Sequence, residues 1–316
     1  LFAYPYTFFH FLFKGGSEES KLKYHQFIQR MSGFLLKRVP GVRFTQSGED
    51  DFSKPSVIVA NHQSHLDLIC LMALNPKLIF FTNEWVWKNP IYGYVIRKAD
   101  YIPVNDGVEA HLDKIRALVE RGYSLVIFPE GTRTVDGSIG RFHKGAFYLA
   151  AELGLDITPV YIHGAYDVLP KTDFMLREGS VNVEVGPRIP CSKDYRSMTK
   201  VCHRIFVSHY AELRRTLETP EYLSVYVRYK YLYKGADVES RCRKALARVN
   251  DMAFLREVPS GNHFEIHDCG QGEYALIFAL MHPEVEVDAY DRDEDNVMLA
   301  SNISSLPANL HFHLEL

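Results

Sequence analysis

Between residues 56 and 185, short apolar runs alternate with stretches of helical periodicity, and no other feature of the chain limits its fold as strongly. Residues 56–60, 78–81, 101–104, 124–128, 157–162 and 181–185 read as strands, and residues 66–74, 108–121 and 144–153 as helices. Strands separated by helices predict an α/β fold with a mixed, largely parallel sheet flanked by helices. Before this region, Tyr24, Phe27, Ile28, Met31, Phe34 and Leu35 recur at helical spacing among Lys23, Arg30 and Lys37, so residues 21–38 form an amphipathic basic helix that stops at Pro40-Gly41. Such a helix lies on a core or also faces lipid headgroups. After it, residues 193–215 read as a closing helix.

At 316 residues the chain is about twice the usual domain length, and four segments are expected. Residues 1–20 form a membrane-proximal apolar segment whose run from Phe2 to Phe13 falls short of the roughly 20 apolar residues a membrane span needs. Its aromatics suit an interface or the end of a membrane helix, with a buried segment as the alternative. Residues 21–215 make the main domain. Residues 216–260, entered at Thr219-Pro220, make a connector that is helical over 239–254. After Pro259-Ser260-Gly261, residues 261–316 start a second β-α-β pattern: strand 264–267, helix 273–281, strand 285–290, helix 293–303 and a last strand at 310–314. Both ends have the look of cut sequence. A formal charge of -3 offers no basic excess to neutralise many phosphates, so nucleic acid is not expected as a partner. Five scattered cysteines without a CxxC pair suggest neither a disulfide framework nor a zinc knuckle, and point to a reducing compartment.

Two constellations carry chemistry. Asn61-His62-Gln63-Ser64-His65-Leu66-Asp67 follows directly on the strand at 56–60, and residues at the carboxyl end of such a strand face the ligand crevice of an open α/β sheet. If a helix opens at Ser64 or His65, Asp67 can turn back to His62, fix its tautomer and leave its other nitrogen free to take a hydroxyl proton. A helix cap would use the same pair. His62, His65 and Asp67 also offer three metal ligands, but no second cluster completes them, so no metal is expected. The second constellation is Phe128-Pro129-Glu130-Gly131-Thr132-Arg133, at the end of another strand. Gly131 permits a tight turn, and Arg133 offers a planar fork to phosphate or carboxylate.

In this order, followed by Thr158-Pro159-Val160-Tyr161-Ile162, the two elements resemble the glycerolipid acyltransferase superfamily, which includes lysophosphatidic acid acyltransferases. The resemblance covers about residues 24–190. It implies that His62, oriented by Asp67, deprotonates an acceptor hydroxyl that attacks an acyl thioester of coenzyme A or acyl carrier protein, with no cofactor and no covalent enzyme intermediate. It implies further that Glu130, Gly131, Thr132 and Arg133 bind the acceptor headgroup, together with Lys144. The family usually carries an arginine between these motifs, where this chain has Tyr101-Ile102-Pro103-Val104-Asn105-Asp106-Gly107, which opens the acceptor to lysolipids other than lysophosphatidic acid. A metal-dependent hydrolase using His62, His65 and Asp67, and a lipid-binding module without turnover, are the rival functions.

Further along, Asp268-Cys269-Gly270-Gln271-Gly272-Glu273 lies between strand and helix, with Asp291 at the end of the next strand. Glycines at such a turn let a nucleoside cofactor approach the backbone, and an acid some twenty residues on meets ribose hydroxyls. The pattern resembles the opening of class I methyltransferases, which implies that Asp268, Gly270, Gly272 and Asp291 contact S-adenosylmethionine in a complete domain; with the sequence stopping near the third strand, methyl transfer is not expected of these residues alone. The whole arrangement resembles part of the bacterial fused chains that join a lipid exporter, a lysophospholipid acyltransferase and a methyltransferase, which implies membrane lipids as partners and the cytoplasmic face of the inner membrane as location.

Overall fold

A computed structural model describes residues 3–48, 50, 52–82, 84–90, 92–104, 107–171, 173, 175–257 and 260–316. Phe2, Asn105, Asp106 and Pro259, named above, lie outside the described residues. The chain divides into two units, Leu1–Tyr210 and Ala211–Leu316.

The first unit is built on strands β1 (Val42–Gly48), β2 (Val57–Ala60), β3 (Leu78–Thr82), β4 (Ile102–Pro103), β5 (Ser124–Ile127), β6 (Ile157–His163) and β7 (Gly179–Val185). They form one sheet in the order β1-β7-β6-β2-β5-β3-β4, parallel throughout except where β6 meets β7. Helices α1 (Ala3–Lys14), α2 (Glu18–Leu36), α3 (Leu66–Leu74), α4 (Glu84–Lys88), α5 (Tyr92–Lys98), α6 (Leu112–Glu120), α7 (Gly145–Leu153), α8 (Ala165–Val168) and α9 (Tyr195–Leu217) accompany it. The fold is the mixed, largely parallel α/β layer that the alternation predicts.

Position in the sheet follows composition. All four residues of β2 are buried, as a strand paired in parallel on both sides and covered on both faces requires. By contrast β1 reads Val-Arg-Phe-Thr-Gln-Ser-Gly and is mostly exposed, since it is an edge strand; without an apolar run it is absent from the strands read in the sequence. Its register is set by pairing with β7, from Val42 opposite Gly179 to Gly48 opposite Val185. In α9, Met198, Cys202, Phe206 and Tyr210 are buried at four-residue intervals, and Phe206 packs its ring against Phe142 and Tyr161, with centroids 5.1 and 4.7 Å apart. Each such side chain removed from water contributes about 1.5–3 kcal/mol.

The expected segment boundaries regroup. Residues 3–14 are a helix of the first unit: Phe11 is buried, Thr7 bonds Tyr24 Oη at 2.7 Å, and the rings of Tyr6 and Phe27 stack at 3.6 Å. Thr219-Pro220 is the start of helix α10 (Pro220–Lys230), where Thr219 Oγ1 accepts the Tyr222 amide at 3.3 Å and Pro220 sits in the first turn. Helix α11 (Ala236–Leu246) follows, and with α10 it belongs to the second unit rather than to a separate connector.

That unit also holds β8 (His263–Ile266), α12 (Glu273–Met281), β9 (Glu286–Asp291), α13 (Glu294–Ser301) and β10 (Leu310–Leu314), with the three strands parallel in the order β10-β9-β8. Leu223, Val227, Tyr231, Phe278 and Val287 are among its core residues.

Candidate active site

β2 and β5 are parallel neighbours, so the loops that leave their carboxyl ends emerge side by side. One begins at Asn61 and the other at Phe128, and this register brings together two motifs separated by some sixty residues of sequence. Asn61 fastens the end of β2 to β6: its Nδ2 donates to the Ile162 carbonyl and its Oδ1 accepts the Ile162 amide, both at 2.8 Å.

His62 Nδ1 lies 2.8 Å from Asp67 Oδ2. Asp67 sits in the first turn of α3 and is fully buried; the same Oδ2 accepts the amides of Gln63 at 2.6 Å and Ser64 at 2.8 Å. The helix start and the histidine thus share one carboxylate, so the capping and orienting uses of Asp67 coexist. The His62 ring lies flat on Phe128, with centroids 4.0 Å apart and planes 17° apart, and its side chain keeps 18% exposure. With Nδ1 turned inward to Asp67, Nε2 is the nitrogen left for a substrate, and no described residue partners it.

Glu130 is placed differently from the headgroup contact that the resemblance implies. It is buried, its Oε1 accepts the His62 amide at 2.8 Å and its Oε2 accepts the Gly140 amide at 2.7 Å. Burial pushes its carboxyl above the ordinary range, against the pull of those two amides. Thr134 N closes the junction by donating to the His62 carbonyl at 2.8 Å. Gly131 takes a positive φ of 70°, and a Cβ there would press on the His143 ring at 3.3 Å. Thr132 is exposed; its Oγ1 accepts from Lys171 Nζ at 3.0 Å, and the Arg133 carbonyl accepts from the same ammonium at 3.3 Å. The Arg133 guanidinium is half-buried and has no ion-pair or hydrogen-bond partner among the described residues. Burial, and then the charge of Arg133, hold His65 below its ordinary pKa; Arg133 directly precedes Thr134, whose amide bonds the His62 carbonyl at 2.8 Å.

Lys144 is exposed at the start of α7, in the wall of a cavity that also borders α9. Gln63 ties the loop after β2 to its neighbours. Its Nε2 is hydrogen-bonded to Tyr210 Oη of α9 and its Oε1 accepts the Tyr166 amide at 3.3 Å, which leaves it a brace behind His62. Among the described residues, no group of three His, Cys, Asp or Glu side chains is arranged to hold a metal ion.

In the second unit, Gly270 and Gly272 both have positive φ, as the turn requires, but they serve different ends. Nothing lies within 4 Å of a Cβ placed on Gly270, whereas one on Gly272 would collide with the Phe312 ring at 2.7 Å. Asp268 has a φ of 50° and is exposed. Asp291 does not reach outward: its Oδ2 accepts the Gly270 amide at 2.7 Å, and its Oδ1 accepts the Asp293 amide at 2.9 Å and Asn296 Nδ2 at 3.2 Å. Its carboxylate therefore braces the glycine turn, in place of the cofactor contact that the resemblance implies. Burial raises the carboxyl and these donors bring it below the ordinary range.

Residues 42–163 match the family model named Acyltransferase. That match spans β1 to the end of β6, and so contains His62, Asp67 and the Phe128–Arg133 loop. The chain is 30% identical over 183 residues to a chloroplastic 1-acyl-sn-glycerol-3-phosphate acyltransferase of Arabidopsis thaliana, an alignment covering 54% of this chain and 50% of the relative. It is 29% identical over 172 residues to the human 1-acyl-sn-glycerol-3-phosphate acyltransferase alpha, covering 52% and 60%. The chain thus spans about half the length of the plant relative. Among solved structures, that of the 1-acyl-sn-glycerophosphate acyltransferase PlsC of Thermotoga maritima shares the fold with a TM-score of 0.58 at 20% identity, over 68% of this chain and 89% of that one.

Proposed function

We propose that this chain transfers a fatty acyl group from a thioester to the hydroxyl of a lysophospholipid. The observation that carries the proposal is His62 itself: one ring nitrogen is fixed on a buried carboxylate, and the other has no partner among the described residues. Arg133, also without a partner among them, adjoins Thr134, whose amide bonds the His62 carbonyl at 2.8 Å. Nε2 takes the proton of the acceptor hydroxyl as its oxygen attacks the thioester carbonyl. The tetrahedral intermediate collapses with loss of thiolate, and the imidazolium returns its proton to that sulfur. Asp67 holds the tautomer and stabilises the imidazolium. Arg133 draws the anionic headgroup toward the histidine, Gly131 and the Lys171 contacts set the shape of its loop, and Glu130 keeps the two loops in register. The names of the relatives support a phosphate-bearing acceptor.

The acceptor is a membrane lipid, and the helices at the start of the chain suit a lipid surface. Phe8, Phe9, Leu12 and Phe13 of α1 are exposed, as are Met31, Phe34 and Leu35 of α2, with Lys14, Lys37 and Arg38 nearby in sequence. No described helix is long and apolar enough to cross a membrane. A surface-bound enzyme fits the exposed apolar residues and neighbouring cations of these helices, and we propose the cytoplasmic face for it.

For the second unit we propose kinship with the opening of class I methyltransferases, supported by three parallel strands and an open turn at Gly270. With Asp291 committed to that turn, no methyl transfer is assigned to it.

Incubating the protein with labelled acyl-coenzyme A or acyl carrier protein and a panel of lysolipids, then weighing the products, tests the main proposal. Acylated lysophospholipid is expected. Release of free fatty acid alone would make the chain a hydrolase, and lysolipid binding with no product would make it a binding module.

A further inference from the structure

Beside α7 and along one face of α9 lies a cavity of about 890 Å³ whose lining includes Arg141, Lys144, Arg196, Lys200 and Arg204, with His203 between them. None of the lining residues is acidic. Among the described residues none of the five cations has a carboxylate partner, and Asp194, just before α9, is bonded instead to the Ser197 amide at 3.0 Å. Arg196, Lys200 and Arg204 are four residues apart on α9, on the side opposite its buried stripe at Met198, Cys202 and Phe206. Three of the five charges are thus carried by a helix whose other face is fixed in the core.

Five exposed cations without a carboxylate partner among the described residues border one concavity, and their summed field favours a polyanion there. The size is that of a small-molecule site. The wall is also joined to the proposed active site. His203 Nε2 bonds the Gly140 carbonyl at 3.1 Å, while the Gly140 amide donates to Glu130 at 2.7 Å and Glu130 accepts the His62 amide at 2.8 Å.

Building on the acyl transfer proposed above, we propose that this cavity binds the clustered phosphates of a nucleotide-bearing thioester of the coenzyme A type, making it the donor end of the site. A lysophospholipid with a single phosphate has Arg133 beside His62 and does not require five further cations. The coenzyme carries about four negative charges on a diphosphate and a phosphate monoester, a match in both sign and clustering. An acidic carrier protein would instead need a broad face of roughly 800 Å². Cations converging on a concavity favour the small molecule. Lys144 then belongs to the donor rather than to the acceptor.

Calorimetric titration of the full chain with coenzyme A, and with adenosine 3′,5′-bisphosphate as a probe lacking the thiol arm, tests this directly. Both are expected to bind, more weakly as salt rises. In Lys200→Glu/Arg204→Glu, checked for fold by circular dichroism, affinity should fall about tenfold or more, and KM for acyl-coenzyme A should rise by a like factor while KM for lysolipid holds. Lys200→Gln/Arg204→Gln should lose less, in the same direction. A rise in lysolipid KM would reassign the cavity to the acceptor and overturn the inference, and so would lost turnover with acyl carrier protein alone, with coenzyme A binding intact. Because the titration needs no turnover, the two proposals fail separately. Charge-sensitive coenzyme binding without acyl transfer from any donor leaves the cavity assigned and sinks the activity; acyl transfer with undiminished coenzyme affinity in the reversed variant does the opposite.

Discussion

Glu130 and His62 are joined through the backbone: Glu130 Oε1 accepts the His62 N–H at 2.8 Å, while Oε2 accepts the Gly140 N–H at 2.7 Å. One buried carboxylate therefore sets the distance between the loops after β2 and β5. Glu130→Gln keeps one acceptor and turns an NH₂ group toward the other amide. The expected loss is about 1–3 kcal/mol of stability, measurable by urea unfolding. Turnover should fall through kcat, because His62 shifts, with little change in acceptor KM. A rise confined to acceptor KM would instead mark Glu130 as a headgroup contact.

Asp67 accepts three donors through one oxygen, so changing it has two effects. Asp67→Asn allows the wrong imidazole tautomer, which for an oriented histidine lowers kcat by on the order of 10³–10⁴. His62→Ala should remove nearly all acyl transfer while leaving the melting temperature close to that of the parent. Folded His62→Ala with near-normal turnover would remove His62 from the chemistry.

The guanidinium of Arg133 has no partner among the described residues, and its loop is held against His62 by the bond from the Thr134 amide to the His62 carbonyl at 2.8 Å. Arg133→Ala should lower kcat/KM for an anionic acceptor by roughly 2–5 kcal/mol of transition-state stabilisation, with Arg133→Lys recovering part of it. Steady-state kinetics with acceptors of different headgroup charge provide the check: equal losses for neutral and anionic lysolipids would show that Arg133 does not read the headgroup.

Burial of His25 beside Tyr101 and Tyr123 pushes its pKa down to about 4, although Asp100 opposes this. The folded chain thus keeps His25 neutral where the unfolded chain, titrating near 6.5, already binds a proton. Its contribution is complete above pH 6.5 and is lost as pH falls to about 4, on the order of 3 kcal/mol in all. His25→Gln removes this titration, so the stability difference between parent and variant should shrink or reverse across that window in thermal melts. A difference constant from pH 7 to 4 would show that His25 is not held neutral.

Residues 66–74 and 310–314 match α3 and β10 end to end: the first is apolar but for Asp67 and stops at Asn75, and the second alternates Leu and Phe with His at the period of a strand. The His62–Asp67 pairing was legible for a similar reason: a five-residue offset across a helix start fixes where the carboxylate can turn. What escaped was contact between elements remote in sequence. Nothing in the Phe128–Arg133 motif says that Glu130 faces two backbone amides, since only the register of β2 with β5 brings His62 there. The same holds for Asp291, which closes on Gly270 through the packing of β9 beside β8. Arg196, Lys200 and Arg204 read as an ordinary solvated helix face until the fold sets Arg141 and Lys144 against them.

The first helix gives the last prediction. In α1, Thr7 and His10 point inward, bonded to Tyr24 Oη and to the Ser20 carbonyl at 2.7 and 2.9 Å, so the helix is anchored without its outer face. That outer face carries Phe9 and Phe13, whose rings stack at 6.2 Å and of which Phe13 is 78% exposed. Apolar rings presented to water in this way lose little by staying folded and gain about 1.5–3 kcal/mol each on entering an apolar layer. Phe9→Ser/Phe13→Ser should therefore leave the melting temperature within a few degrees of the parent but weaken binding to phospholipid vesicles by at least about tenfold in flotation assays. Activity on lysolipid embedded in vesicles should fall with it, while activity on detergent-dispersed lysolipid should hold. Undiminished vesicle binding by the double variant would move the membrane contact elsewhere, with the exposed Met31, Phe34 and Leu35 of α2 as the next face to change.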